Sequence, residues 1–123
     1  MDKKILIVED EQTLSKALFF KLTSEGFTVL RAQNGEDGLE IAYKNHPDLI
    51  LLDIIMPVMD GLTMLNKLRE DEWGKSVPVF MLTNLSNSED VDKAMKKGVY
   101  DYLVKSDWKL EEIINKIKEE LKW

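Results

Sequence analysis

The stretch DLILLDIIMPVMDG, Asp48–Gly61, decides the fold. Leu49, Ile50, Leu51 and Leu52 form an unbroken apolar run, the mark of a strand covered on both faces. The run ends on a carboxylate, Asp53, with apolar residues on either side. An ionised acid beside such a run is costly unless something compensates it. The rest of the chain has to account for both the run and the acid.

Working outward, Lys3–Val8 reads as strand 1 and is followed by Glu9-Asp10-Glu11. Phe27–Leu30 reads as strand 2 and Leu49–Leu52 as strand 3. Val77–Leu82 is strand 4, in which Pro78 is tolerable only where its missing N–H is not needed; Tyr100–Val104 is strand 5. Between the strands the period becomes helical. A first helix over Thr13–Glu25 carries Leu14, Ala17, Leu18 and Leu22 on one face, with Gly26 as its stop. A second follows Asn34-Gly35, with Leu39, Ile41, Ala42 and Tyr43, and ends near Asn45. A third follows Pro57 and Asp60-Gly61, with Leu62, Leu65 and Leu68. Ser88 caps a fourth through Lys97, and Asp107 caps a last helix with Leu110, Ile113, Ile114, Ile117 and Leu121 on its buried side. Five strands alternating with five helices predict one doubly wound α/β domain over residues 1–123, its parallel sheet covered on both faces.

Composition excludes several function classes. The chain of 123 residues has 44% hydrophobic and 33% charged residues, ordinary for a globular domain. No apolar run approaches the roughly 20 residues of a membrane span, and no signal-peptide pattern opens the chain. The absence of cysteine removes disulfides and thiolate metal sites and fits a cytoplasmic location. A net charge of -6 argues against direct nucleic-acid binding.

The awkward polar residues collect at one edge. Glu9 and Asp10 follow strand 1, Asp53 strand 3, Thr83 strand 4 and Lys105 strand 5. All stand at carboxyl ends of strands, where open α/β sheets bind their ligands. If these strands are neighbours, three acids, a hydroxyl and an ammonium converge. Crowded carboxylates repel one another unless a cation joins them, and oxygen ligands without His or Cys select Mg²⁺ or a similar hard ion. Aspartate is also a competent nucleophile toward phosphorus, while Thr83, Lys105 and the metal suit phosphoryl oxygens. Taken singly, Asp53 and Glu9-Asp10 read equally as helix caps, Thr83 as a turn residue and Lys105 as a solvated charge. Their combination, each at the same end of a different strand, argues for a site.

At these residues the chain resembles, over essentially its whole length, the receiver domain of two-component response regulators. The motifs are ILIVEDE with Glu9-Asp10, LILLDIIMPVMDG with Asp53, VFMLTN with Thr83 and YDYLVKS with Tyr102 and Lys105. The resemblance implies a flavodoxin-like fold with strand order 2-1-3-4-5. It implies that Asp53 accepts a phosphoryl group from a histidine kinase or histidine phosphotransfer protein. Asp10, Asp53 and the backbone carbonyl of Ile55 would ligate Mg²⁺, with Glu9 assisting through water and Lys105 contacting the phosphoryl group. Thr83 and Tyr102 would switch together, altering the face made by the fourth helix, fifth strand and last helix, where a second copy or a downstream protein binds. Such a protein phosphorylates and dephosphorylates itself and turns over no separate substrate.

The sequence departs from the family pattern in three places. Ser106 follows Lys105 where the family has proline after a cis bond; a non-proline cis bond costs about 2.5–4 kcal/mol, which weighs against one here. Asn84 replaces a small residue and narrows access to the phosphoryl group. Ile55 and Leu85 are apolar where the family places residues flanking the hydrolytic water, which predicts slow self-hydrolysis.

Other readings are weaker. An aspartate-nucleophile phosphatase needs a second Asp where Ile55 stands, and a flavin carrier needs a phosphate loop where Glu9-Asp10-Glu11 would repel it. A phosphorylation-independent pseudo-receiver is the remaining alternative, although such domains commonly lose an acid or the lysine. His46 reads as a surface residue, and Trp73, Trp108 and Trp123 share no spacing that suggests a stacking platform. Met56, Met59 and Met64 read as core or loop fillers. Phe20 lies opposite the apolar stripe of the first helix, either as core edge or as a contact for the kinase.

Overall fold

Apolar runs bounded by acids and glycines become strands, and the periodic segments between them become helices. The computed structural model describes residues 2–83, 92, 95, 96, 101–104 and 109–123. The strands are β1 (Lys4–Val8), β2 (Thr28–Ala32), β3 (Leu49–Leu52), β4 (Val79–Thr83) and β5 (Asp101–Val104). All pairings are parallel, in the order β2-β1-β3-β4-β5. The described helices are α1 (Gln12–Ser24), α2 (Gly35–Asn45), α3 (Gly61–Glu70) and α4 (Leu110–Leu121). The expected helix from Ser88 through Lys97 lies outside the described residues apart from Asp92, Met95 and Lys96, whose backbone is helical.

Alternation along the strands makes two cores. Ile5, Ile7, Leu49, Leu51, Phe80 and Leu82 face α1 and α4, where Leu18, Leu22, Ile113, Ile114 and Ile117 complete the layer. Leu6, Val8, Ile50, Leu52, Val79 and Met81 face α2 and α3, meeting Leu39, Ala42, Met64, Leu65 and Leu68. Both faces of the sheet are therefore dry, as a continuous apolar run demands.

Several boundaries differ from the sequence reading, each for a local reason. β2 begins after Phe27, which is buried in the core, and runs on through Arg31 to Ala32. Arg31 is accommodated because its guanidinium leans back on α1, donating to Ser15 Oγ and Gln12 Oε1, both at 3.0 Å. β4 starts after Pro78: the proline has no N–H to give, while its carbonyl accepts from Ile50 N at 3.0 Å. The residue before α4 is Lys109, and the expected cap Asp107 lies outside the described residues; Glu112 accepts the Lys109 N–H at 3.4 Å, and Glu111 and Glu112 complement the helix dipole. Tyr43, counted among the apolar positions of the second helix, is 40% exposed and donates its hydroxyl to the Lys67 carbonyl at 3.3 Å.

Gly26 stops α1 at φ 98, and Asn34 and Asp60 cap α2 and α3 by accepting from the N–H of Asp37 at 2.9 Å and of Thr63 at 2.8 Å. Among the described residues, no helix is long and apolar enough to cross a membrane.

Candidate functional site

β1 and β3 are neighbours in a register that pairs Val8 with Leu52, so the residues that follow them, Glu9 and Asp53, leave the sheet side by side. Two backbone bonds fix this edge: Asp53 N donates to Val8 O and Glu9 N to Ala32 O, both at 3.0 Å. Glu9, Asp10 and Asp53 each bring a carboxylate oxygen to within 4.8 Å of the others. Glu9 and Asp53 are buried, at 1% and 6% exposure, while Asp10 is exposed. Glu9 is turned inward in part by its own loop, its Oε2 accepting the Glu11 N–H at 3.0 Å.

A three-carboxylate donor set, two members buried and one open to water, fits a hard divalent cation that keeps some of its waters. It offers no imidazole or thiolate, so zinc and copper are poor matches. The parallel register of β1 and β3 brings the three acids named from the sequence together.

The loop after β3 is shaped by glycine and by a tight turn. Gly61 N donates to Ile54 O at 2.8 Å, and a side chain on Gly61 would collide with the Asp53 carbonyl. Met59 N donates to Pro57 O at 2.7 Å, closing a γ-turn on Val58, whose φ is 68. In this loop Ile55 and Val58 stand outward at 61% and 75% exposure, and Met56 is buried. The sequence reading treated Asp60-Gly61 only as a turn and helix start; the glycine after the cap was the available signal for the close approach.

Thr83 ends β4 and Tyr102 lies in β5, neighbouring strands at the same side of the sheet, with Met81 opposite Tyr102 and Thr83 opposite Val104. Lys105, Asn84, Leu85, Ser106 and Trp108 lie outside the described residues. His46 is exposed at the far end of the sheet, where it closes α2 in a left-handed conformation and stacks on Trp73 at 4.5 Å.

Fold and site together define a flavodoxin-like α/β domain with an acidic crevice at the carboxyl edge of its sheet. Residues 5–118 match the response regulator receiver domain, and the chain belongs to that family, the receiver domains of two-component signalling. It is 36% identical over 115 residues to the response regulator ArlR of Staphylococcus aureus, covering 94% of this chain and 51% of ArlR. It spans about half or less of the curated relatives it matches, 42% of a transcriptional regulator from Porphyridium aerugineum and 23% of PleD from Caulobacter vibrioides. Among solved structures, a CheY-like receiver domain protein from Methanospirillum hungatei superposes with a TM-score of 0.92 at 27% identity, over 99% of this chain and 95% of that one. The receiver domain of a sensor histidine kinase from Pseudomonas aeruginosa, with a magnesium ion coordinated in its active site cleft, gives 0.86 at 28% identity over 97% of both chains.

Proposed function

We propose that this domain is a phosphorylation switch: Asp53 accepts a phosphoryl group from a phosphohistidine of a histidine kinase or phosphotransfer protein. The observation that carries the reading is the convergence of Glu9, Asp10 and Asp53 carboxylates within 4.8 Å at the end of β1 and β3. An Asp53 carboxylate oxygen forms the new bond to phosphorus as the bond to the donor imidazole nitrogen breaks, and the imidazole leaves neutral after taking a proton. Asp10, Asp53 and the Ile55 carbonyl would hold Mg²⁺, and Glu9 would assist through water. When bound, the ion offsets the negative charge gathered on the phosphoryl oxygens. Lys105 serves the same oxygens, and Thr83 donates a hydrogen bond to one of them.

Burial of Asp53 keeps the acceptor away from bulk water, and the loop that follows it exposes Ile55 and Val58. Exposed apolar side chains there favour a protein donor and disfavour an attacking water. Thr83 and Tyr102 then carry the state of Asp53 to the face built on β5 and α4, where a second copy or a downstream protein binds. Such coupling requires contacts that differ between two conformations.

The test is intact-protein mass after incubation with acetyl phosphate, with and without Mg²⁺, beside Asp53→Asn. One added phosphoryl group that needs both Mg²⁺ and Asp53 is the expected result. No gain in the wild type, together with no binding of a beryllofluoride mimic, would instead make the domain a phosphorylation-independent interaction module.

A further inference from the structure

Gly35 opens α2 beside the β3–α3 loop, and its backbone N–H donates to the Met59 carbonyl at 2.9 Å. A Cβ on Gly35 would lie 2.6 Å from that same oxygen, 3.0 Å from Met59 Cγ and 3.1 Å from the Asp60 carbonyl. The obstacle is backbone on two sides, so a side chain here displaces the loop rather than a flexible neighbour. The loop has little slack to absorb it: Gly61 N holds Ile54 O at 2.8 Å, and the γ-turn on Val58 sits between Pro57 and Met59. A push on Met59 is therefore passed along the chain to Ile54 and Ile55, next to Asp53.

We propose that Gly35 is a positioning residue for magnesium: the start of α2 clamps the 54–60 loop and so sets where the Ile55 carbonyl stands relative to Asp10 and Asp53. The inference rests on the magnesium reading above and extends it to a residue on a different helix. Linkage makes the effect reciprocal, so the ion must in turn tighten the Gly35–Met59 bond.

The experiment has two parts. Mg²⁺ is titrated calorimetrically into the wild type, Gly35→Ala and Gly74→Ala. Gly74→Ala is the control for lost stability, because its Cβ would strike the Leu68 carbonyl at the far end of α3, away from the acids. Gly35→Ala is expected to weaken Mg²⁺ binding about 10-fold, the usual scale for a disturbed supporting contact, while Gly74→Ala melts earlier yet binds Mg²⁺ like the wild type. In the wild type, amide exchange at Gly35 is expected to slow on adding Mg²⁺.

Unchanged Mg²⁺ affinity in a folded Gly35→Ala, or Gly35 exchange indifferent to Mg²⁺, overturns the inference while leaving the magnesium reading intact. A wild type that binds no Mg²⁺ overturns both. If Gly35→Ala does not fold, the wild-type exchange measurement decides alone.

Discussion

Trp123 lies against Phe27, their rings 4.7 Å apart and tilted by 31°. The indole N–H donates to the Glu25 carbonyl at 2.9 Å, and one turn back Lys118 pairs with the Glu25 carboxylate at 3.0 Å. The end of α4 is thereby fastened to the turn between α1 and β2. Truncating Trp123 to Ala is expected to cost about 2 kcal/mol, summing an aromatic pair and a hydrogen bond. Trp123→Phe keeps the stacking and is expected to cost about half as much. Urea unfolding of the two variants and the wild type measures this; equal stability in all three would mean that the contact contributes nothing.

Val58 is β-branched yet has φ 68. For such a residue the left-handed region costs roughly 1–2 kcal/mol. Glycine has no Cβ to clash at the positive-φ centre of this γ-turn, so Val58→Gly is expected to raise stability by up to about 1 kcal/mol. Thermal unfolding checks the sign, and a destabilised variant would show that the exposed valine makes a favourable contact.

Three carboxylates within 4.8 Å should be more comfortable with a cation among them. Added Mg²⁺ is expected to raise the melting temperature, by the equivalent of about 2.7 kcal/mol at a concentration one hundred times the dissociation constant. Asp10→Ala removes the exposed carboxylate of the three and should abolish the rise without disturbing the buried core. A melting temperature that climbs equally in both proteins would assign the effect to ordinary salt screening.

Phe20 is 68% exposed, its ring meeting only the edge of Phe19 at 5.6 Å among the ring contacts of the described residues. Phe20→Ala should therefore change stability by no more than about 0.5 kcal/mol. If Phe20 is a docking contact, the same variant takes phosphate more slowly from its histidine kinase and at the normal rate from acetyl phosphate. Full-rate transfer from the kinase would leave Phe20 as a surface residue.

How far the sequence could be read depended on what bounded each element. β3 was legible to the residue because acids flank its apolar run on both sides. β2 slipped because its charged member, Arg31, is satisfied by Ser15 and Gln12 on another element, a partnership invisible to local pattern. The sequence reading puts Pro78 inside strand 4, near its start, whereas the strand begins just beyond it, because a proline has no N–H to give the ladder. Ser15, 1% exposed, was missed as a buried position because a hydroxyl gives no apolar signal. The acids of the site were legible because ionisable side chains at strand ends stand out against apolar runs. The closeness of Gly35 to Met59 and of Gly61 to Asp53 was not, since it depends on the distance between two segments and not on the composition of either.

The pairing of Val8 with Leu52 works as a ruler. Glu9 and Asp53 are each the next residue along, so their spacing is set by counting from the ladder and hardly at all by the shapes of the side chains beneath. Core substitutions that preserve the ladder should leave that spacing alone. Inserting a single residue into β1 or β3 would offset one acid by a full strand step and turn it to the opposite face.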